Sequence, residues 1–331
     1  MADVRRAVRE WAGEQPAGAG SYLVALSGGG DSLALAWALS QEAPGLNLPM
    51  GAVVVDHQLQ QGSTERAHIA ADVATGFGLA PVIIKQVDVG TTGGPEEAAR
   101  NARYQAFSEA LKETGARGVL LAHTKDDQAE TVLLGLARGS GPSGLKGMAV
   151  RDGSLHRPLL NLSRATLRQA LTDAGVTWWE DPHNEDDRFT RSRVRRQVLP
   201  VLENQLGPGV VDSLARTAAL FRQDSDALDS FAREFVAHNV ESSTPHTQSI
   251  SVASLSEQKP AVSSRALRMM VMGVGGGPPS FAQMEQIQGL IGAWRGQLVI
   301  DVSGATLERV DGRIVVKARA ENVKRGLRRG L

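Results

Sequence analysis

The chain has 331 residues, 42% of them hydrophobic and 22% charged, and its 36 basic residues balance 36 acidic ones for a formal net charge of zero. Such a composition fits one large or two ordinary globular domains with a sizeable core, and no uncharged apolar stretch is long enough to span a bilayer. Cysteine is absent, which excludes disulfides, thiolate metal sites and a cysteine nucleophile.

The opening MADVRRAVREWAGEQ is amphipathic and charged, with no apolar core of a signal peptide, so the protein is expected in the cytoplasm. Strands and helices then alternate. YLVALS (22–27) reads as a strand and 31–41 as a helix. GAVVVDH (51–57) is a second strand, followed by a helix over 63–77. APVIIK (80–85) is a third strand, followed by a helix over 95–114 with proline in its first turn. GVLLAH (118–123) is a fourth strand, followed by a helix over 126–137. Continuously apolar strands separated by helices predict a doubly wound parallel sheet covered on both faces.

The pattern changes after about residue 150. A short strand precedes a helix capped by Ser163. WWEDPHNEDDRFTRSRVRRQVLP reads as charged and irregular. Apolar residues at helical spacing predict a long helix over 210–238, and ESSTPHTQS reads as a linker. Helices over 261–272 and 281–291 and three short β segments, QLVIDV, TLERV and RIVVKA, complete a small α+β domain. The expected division is a catalytic α/β domain over 1–205, a helical linker over 206–245 and an α+β domain over 246–331.

The first strand ends in Ser27, Gly28, Gly29, Gly30, Asp31 and Ser32, and a helix starts at once. Missing side chains let backbone N–H groups approach an anion, and the helix N-terminus adds partial positive charge. Phosphate binding is the reading of this loop; a plain glycine-rich βα turn is the alternative. There is no Walker A loop, and the GxGxxG at 139–144 follows a helix instead of a strand. Asp127 and Glu130 lie three apart and share a helix face; a cap residue and a solvated charge would also explain them. His123 closes the fourth strand, and Arg103 sits on the preceding helix. RFTRSRVRR (188–196) holds Arg191, Arg193 and Arg195, which share a face if extended and fan out if helical. They suit RNA phosphates or an unstacked base; a solvated face balanced by Glu185, Asp186 and Asp187 competes. The terminal VKRGLRRGL adds four cations.

SGGGDS resembles the SGGxDS loop of the N-type ATP pyrophosphatases, adenine nucleotide alpha hydrolase-like enzymes that split ATP between its α and β phosphates. The resemblance implies that residues 27–32 hold the β,γ-pyrophosphate, with Asp31 helping to place Mg²⁺ through the phosphates. VDHQL (55–59), EEAARNARY (96–104), AHTKDDQAETVLLGLARGSGPSGLKGM (122–148), RPLL (157–160) and WEDPHNEDDRFTRSRVRRQVLPVLE (179–203) follow in that order. Together they resemble the tRNA(Ile)-lysidine synthetase family, strongly over 20–205 and only architecturally beyond. The family usually carries two consecutive histidines where this chain has His123 and Thr124.

That resemblance implies ATP-dependent ligation of free lysine to carbon 2 of the wobble cytidine of the CAU-anticodon isoleucine tRNA. The route passes through an adenylated tRNA and releases AMP and pyrophosphate. Asp127 and Glu130 then hold and deprotonate the lysine ammonium, while Arg103 stabilises charge on the activated base or α-phosphate. Val55 and His57 contact the adenosine, and His123, Arg191, Arg193 and Arg195 contact substrate. The oligomeric state stays open, a homodimer included. Two alternatives remain: another adenylating enzyme acting on a small carboxylate or amide, and a non-catalytic nucleotide-binding module.

Overall fold

The computed structural model describes residues 1–331 except 17, 19, 59–61, 91–93, 181–185, 297–298 and 320–331. The basic terminal run therefore lies outside the described residues, as do Glu185 and the first two residues of QLVIDV. The chain divides into two compact units, Met1–Arg222 and Gln223–Leu331.

The first unit begins with α1 (Ala2–Gly13), whose Val4, Val8 and Trp11 are buried at helical spacing. Next come β1 (Tyr22–Ala25), α2 (Gly30–Glu42), β2 (Met50–Asp56), α3 (Ser63–Gly76), β3 (Val82–Gln86), α4 (Pro95–Thr114), β4 (Val119–Leu120) and α5 (Lys125–Ala137). After α6 (Gly141–Leu145), β5 (Arg151–Asp152) and β6 (Leu155–His156) extend the sheet, and α7 (Arg164–Asp173) follows. The strand order is β3-β2-β1-β4-β6-β5. All neighbours are parallel except β5 and β6. The doubly wound parallel sheet expected from the sequence is therefore present.

Strand order reverses at β1, with β2 on one side and β4 on the other, so the crevice beyond the end of β1 is where such a sheet binds ligands. The helix that starts there, α2, is apolar on most of its circumference and buries Leu33, Ala34, Leu35, Ala36, Ala38 and Leu39. A helix apolar all round must be covered on both sides, and its core partners include residues of α1, α7 and the sheet.

The Arg-rich stretch is helical where the sequence reads as irregular: α8 (Thr190–Arg193), a π-helical turn (Val194–Val198) and α9 (Leu199–Leu206) run on without a break. Pro200 offers no N–H to the carbonyl of Arg196, and a widened turn is the usual accommodation of such a loss. Buried Val194 and Leu199 anchor the segment against Ala129 and Leu134 of α5.

The long helix is α10 (Val210–Asn239), and the boundary between the units falls within it. The second unit adds β7 (Glu241–Thr244), β8 (Thr247–Ser251), α11 (Val252–Ser256), α12 (Pro260–Gly273), α13 (Phe281–Gly292), β9 (Ile300–Val302), β10 (Ala305–Val310) and β11 (Arg313–Ala318). Its antiparallel sheet has the order β7-β8-β11-β10-β9. Alternate residues Ala305 and Leu307, and Ile314 and Val316, are buried with Leu267, Met270 and Ile287 of the helices, the period-two pattern of a half-covered sheet. The stretch read as a linker, ESSTPHTQS, is the β7–β8 hairpin. All four β7 residues are exposed, and β8 buries a single apolar residue, Ile250, so no hydrophobic alternation announces the hairpin.

Candidate active site

The loop between β1 and α2 is built by glycine where glycine is needed. Gly28 has φ +81°, a left-handed conformation that side chains rarely adopt. A side chain at Gly30 would be crowded: an added Cβ would stand 3.2 Å from Trp178 Cδ1. Ser32 folds back over the turn. Its hydroxyl donates to Gly29 O at 2.9 Å and accepts from Ser27 N at 3.2 Å. The first backbone bond of α2 is Leu33 N to Gly29 O at 3.0 Å, and Gly29 supplies no side-chain cap. The N–H groups of Gly30, Asp31 and Ser32 precede that bond, so they have no carbonyl partner within the helix.

Asp31 sits in the first turn of α2. Its Oδ2 accepts from Arg164 Nε at 3.0 Å, and its Oδ1 is buried without a partner among the described residues. Burial pushes its carboxyl up, against the pull of the Arg164 guanidinium. An unsatisfied buried carboxylate oxygen beside open amides fits one protein ligand for a hard cation whose other ligands are phosphate oxygens and water. Among the described residues no group of three or more His, Asp or Glu could hold a metal by itself.

The N-terminus of α5 lies after neighbouring β4. Thr124 is its N-cap, and a capping box joins it to Asp127: the Thr124 hydroxyl accepts from Asp127 N, and Asp127 Oδ2 accepts from Thr124 N at 2.8 Å. That explains what a threonine does at this position. Asp127 thus has a cap role, and its other oxygen faces two guanidiniums: Oδ1 accepts from Arg164 Nη2 at 2.8 Å and Arg195 Nη2 at 3.2 Å. Glu130, on the same face, is wholly buried rather than solvated. It accepts from Arg195 Nε at 2.6 Å and Nη2 at 3.1 Å, and Arg164 Nη1 is 3.7 Å away.

The two carboxylates are driven apart. Burial raises both, but Arg164, His123 and Arg195 outweigh it at Asp127 and hold that carboxyl below its usual range. At Glu130 burial prevails over Arg195, with help from the charge of Asp127, and the carboxyl is pushed up. Arg164 touches all three acids; burial opposes its charge, but the three carboxylates outweigh burial and raise its pKa.

The other sequence-predicted residues fall into three groups. His57 ends the second strand loop, and Arg103 Nε lies 3.4 Å from its Nε2. Its Nδ1 is buried and unpartnered among the described residues; burial, then Arg103, lowers its pKa to about 4. Val55 is the penultimate residue of β2. His123 Nδ1 faces Arg157 Nε at 3.3 Å, and burial lowers its pKa to about 4. The three arginines of the Arg-rich segment fan out. Arg195 reaches the carboxylates, and Arg191 reaches Glu96 at 3.5 Å and the Thr131 hydroxyl at 3.4 Å. Arg193 donates to the backbone carbonyls of Asp187 at 2.6 Å and Arg188 at 3.1 Å.

Arg164 is the site residue that the sequence reading misses. It is the first residue of α7, after the Ser163 cap. A cation is disfavoured at a helix N-terminus by the macrodipole, so an arginine at that position signals a compensating cluster of acids elsewhere in the chain.

Residues 3–202 match the PP-loop domain family, and residues 250–315 match the TilS substrate binding domain family. A tRNA(Ile)-lysidine synthase of Leifsonia xyli subsp. xyli is 49% identical over 290 residues, covering 88% of this chain and 87% of that protein. One from Thermobifida fusca is 46% identical over 321 residues, covering 96% and 98%. The chain belongs to the tRNA(Ile)-lysidine synthase family. Membership in this family makes it an ATP-using ligase that modifies tRNA. The fold is also that of a U34-tRNA thiolase, NcsA from Methanococcus maripaludis, with a TM-score of 0.56 at 17% identity over 67% of this chain and 79% of that one; at that identity the likeness concerns the fold alone. No helix among the described residues is long and apolar enough to cross a membrane.

Proposed function

We propose that this lysidine synthase family member joins free lysine to carbon 2 of the wobble cytidine in the CAU-anticodon isoleucine tRNA, acting in the cytoplasm. The carrying observation is the juxtaposition, through one guanidinium, of an open-amide phosphate loop and a carboxylate pair with divergent acidities. In the first step the carbon-2 oxygen attacks the α-phosphorus of ATP, and pyrophosphate leaves. The amides of Gly30, Asp31 and Ser32 hold that leaving group, with Ser27, Gly28 and Gly29 shaping the cradle. Asp31 would hold Mg²⁺ beside the phosphates through its unpartnered Oδ1, and the ion would neutralise phosphate charge. Val55 and His57 border the adenosine, and the neutral imidazole offers hydrogen bonding without a charge. Arg103 neutralises charge on the activated base or α-phosphate.

In the second step the lysine ε-amine attacks carbon 2, the carbon–oxygen bond breaks and AMP departs. The amine must first lose a proton. With a free pKa near 10.4, that costs about 5 kcal/mol at pH 7. Glu130 is the better base because its carboxyl is pushed up, and Asp127, pinned by Thr124, is the fixed anion that holds the ammonium. Arg164 and Arg195 occupy both acids in the free protein, so lysine enters by taking over part of those contacts. Arg191, Arg193 and His123 border the nucleic acid side.

Release of AMP that requires tRNA and lysine together, with pyrophosphate release that requires tRNA and goes past one equivalent only when lysine is present, tests this reading. ADP release overturns the superfamily chemistry. Turnover with lysine but without tRNA overturns the substrate.

A further inference from the structure

The segment after α7 runs alongside the phosphate loop. Trp179 forms an isolated parallel bridge with Gly29, and its N–H donates to Gly28 O at 3.3 Å. The neighbouring indole covers Gly30: a Cβ there would stand 3.2 Å from Trp178 Cδ1 and 3.4 Å from both Cγ and Nε1. Trp178 also packs against the main core.

Each indole is tied to a different helix. Trp178 Nε1 donates to Glu180 Oε1 at 3.0 Å. Glu180 pairs with Arg168 of α7, whose guanidinium carbon lies 5.7 Å from the centre of the Trp178 ring. Arg66 of α3 stacks on Trp179 at 4.8 Å. Arg66 and Ala70 share a face of α3, and the Ala70 methyl is 3.8 Å from where a Gly28 side chain would begin. The loop is thus clasped by α3 on one flank and α7 on the other, with two indoles between.

Aromatic side chains beside a turn are ordinarily packing. Here, however, the Trp178 indole meets Gly30, and the Trp179 backbone meets Gly28 and Gly29, the residues whose bareness admits a phosphate. Three consecutive glycines have the most conformational freedom to lose, and a loop ordered beforehand spares the ligand that loss. We infer that Trp178 and Trp179 form a strap that holds the phosphate loop in its binding shape, as positioning residues for ATP and not for lysine or tRNA. The inference rests on the reading of residues 27–32 as the pyrophosphate site.

The test uses the full chain and a non-hydrolysable ATP analogue, with binding followed by calorimetry and KM measured separately for ATP and lysine. Gly28→Ala examines the underlying reading, because a φ of +81° strains any side chain there: analogue affinity is expected to fall about tenfold, and unchanged affinity overturns the loop assignment and the strap together. Trp178→Ala is expected to weaken the analogue about tenfold by disordering the loop, with the KM for lysine unchanged. Trp178→Phe, which restores a ring, recovers most of the loss. Because a methyl at position 30 and the indole compete for one space, Gly30→Ala does less harm in the Trp178→Ala background than in the wild type. Equal losses for ATP and lysine, no recovery with Phe, or fully additive double-variant effects overturn the strap and leave the loop assignment standing. If Trp178→Ala does not fold, Trp179→Leu is read by the same KM split, and a raised KM for lysine equal to that for ATP again overturns the strap.

Discussion

Glu130 and Asp127 are both acids on one face of α5, yet burial and cation contacts shift their carboxyls in opposite directions, which is the basis of the different roles proposed for them. Glu130→Gln keeps an acceptor for Arg195 but removes the base. Turnover is expected to fall by roughly 10²–10⁴, with little change in the KM for ATP; steady-state kinetics with each substrate varied check this. Asp127→Ala also removes the capping-box acceptor of Thr124 N–H, so it is expected to lose both activity and about 1 kcal/mol of stability, visible as a lower Tm. Buried histidines contribute to acid stability. His156 is buried, accepts from Trp11 Nε1 at 3.0 Å, and packs edge-on to Trp11 and Tyr22. Burial lowers its pKa from 6.5 to about 4. Between those values the unfolded chain binds more protons than the folded one, so stability rises with pH across that window and is lost as pH falls through it. His57 and His123 act in the same direction. His156→Gln, which keeps an acceptor and does not titrate, is expected to flatten the fall in Tm between pH 6.5 and 4; an unchanged slope would exclude His156 as a source.

At the scale of elements, α1 is fastened to α2 by ion pairing. Glu42 is buried near the end of α2 and accepts from Arg5 and, at 2.8 Å, from Arg9 Nη1. Both arginines are half-exposed, so the pairs are partly screened, and Glu42→Ala is expected to destabilise by about 1–2 kcal/mol without touching ATP affinity; thermal melts beside analogue binding check it. Elements with an apolar period were legible in the sequence. The βα alternation, the helix over Pro95–Thr114 and the Ser163 cap follow from strand runs, a first-turn proline and a serine before a periodic stretch. Where polarity masks the pattern, reading fails. The β7–β8 hairpin is mostly threonine, serine and glutamine, with one buried apolar residue, Ile250, so little but β propensity marks it. The Arg-rich segment is helical because Val194 and Leu199 bury a narrow stripe, too sparse to outweigh its charges by eye. The glycine turn at the start of α2 and the shared face of Asp127 and Glu130 on α5 are legible because glycine clustering and i,i+3 spacing are local. Arg164 was not, since its partners lie 133, 37 and 34 positions away.

Across the whole molecule, a formal net charge of zero gives no general attraction to RNA, so binding to tRNA must come from local clusters of cations. Raising monovalent salt from about 50 to 200 mM is expected to weaken tRNA binding at least tenfold through counterion release, while affinity for the ATP analogue changes much less. Filter binding and calorimetry across a salt series check the contrast. The chain brings together the proposed nucleotide loop and an acid pair through one sheet, because β1 and β4 are neighbours at its reversal point. Two half-reactions at adjacent strand ends require an intermediate that stays on the RNA between them. Following ATP labelled in its α-phosphate, with tRNA and without lysine, tests that requirement most directly. The label should move onto the tRNA, leave as AMP when lysine is added, and persist on the tRNA in Glu130→Gln even with lysine present. Label that never reaches the RNA in either protein, or that leaves as ADP, would contradict the account.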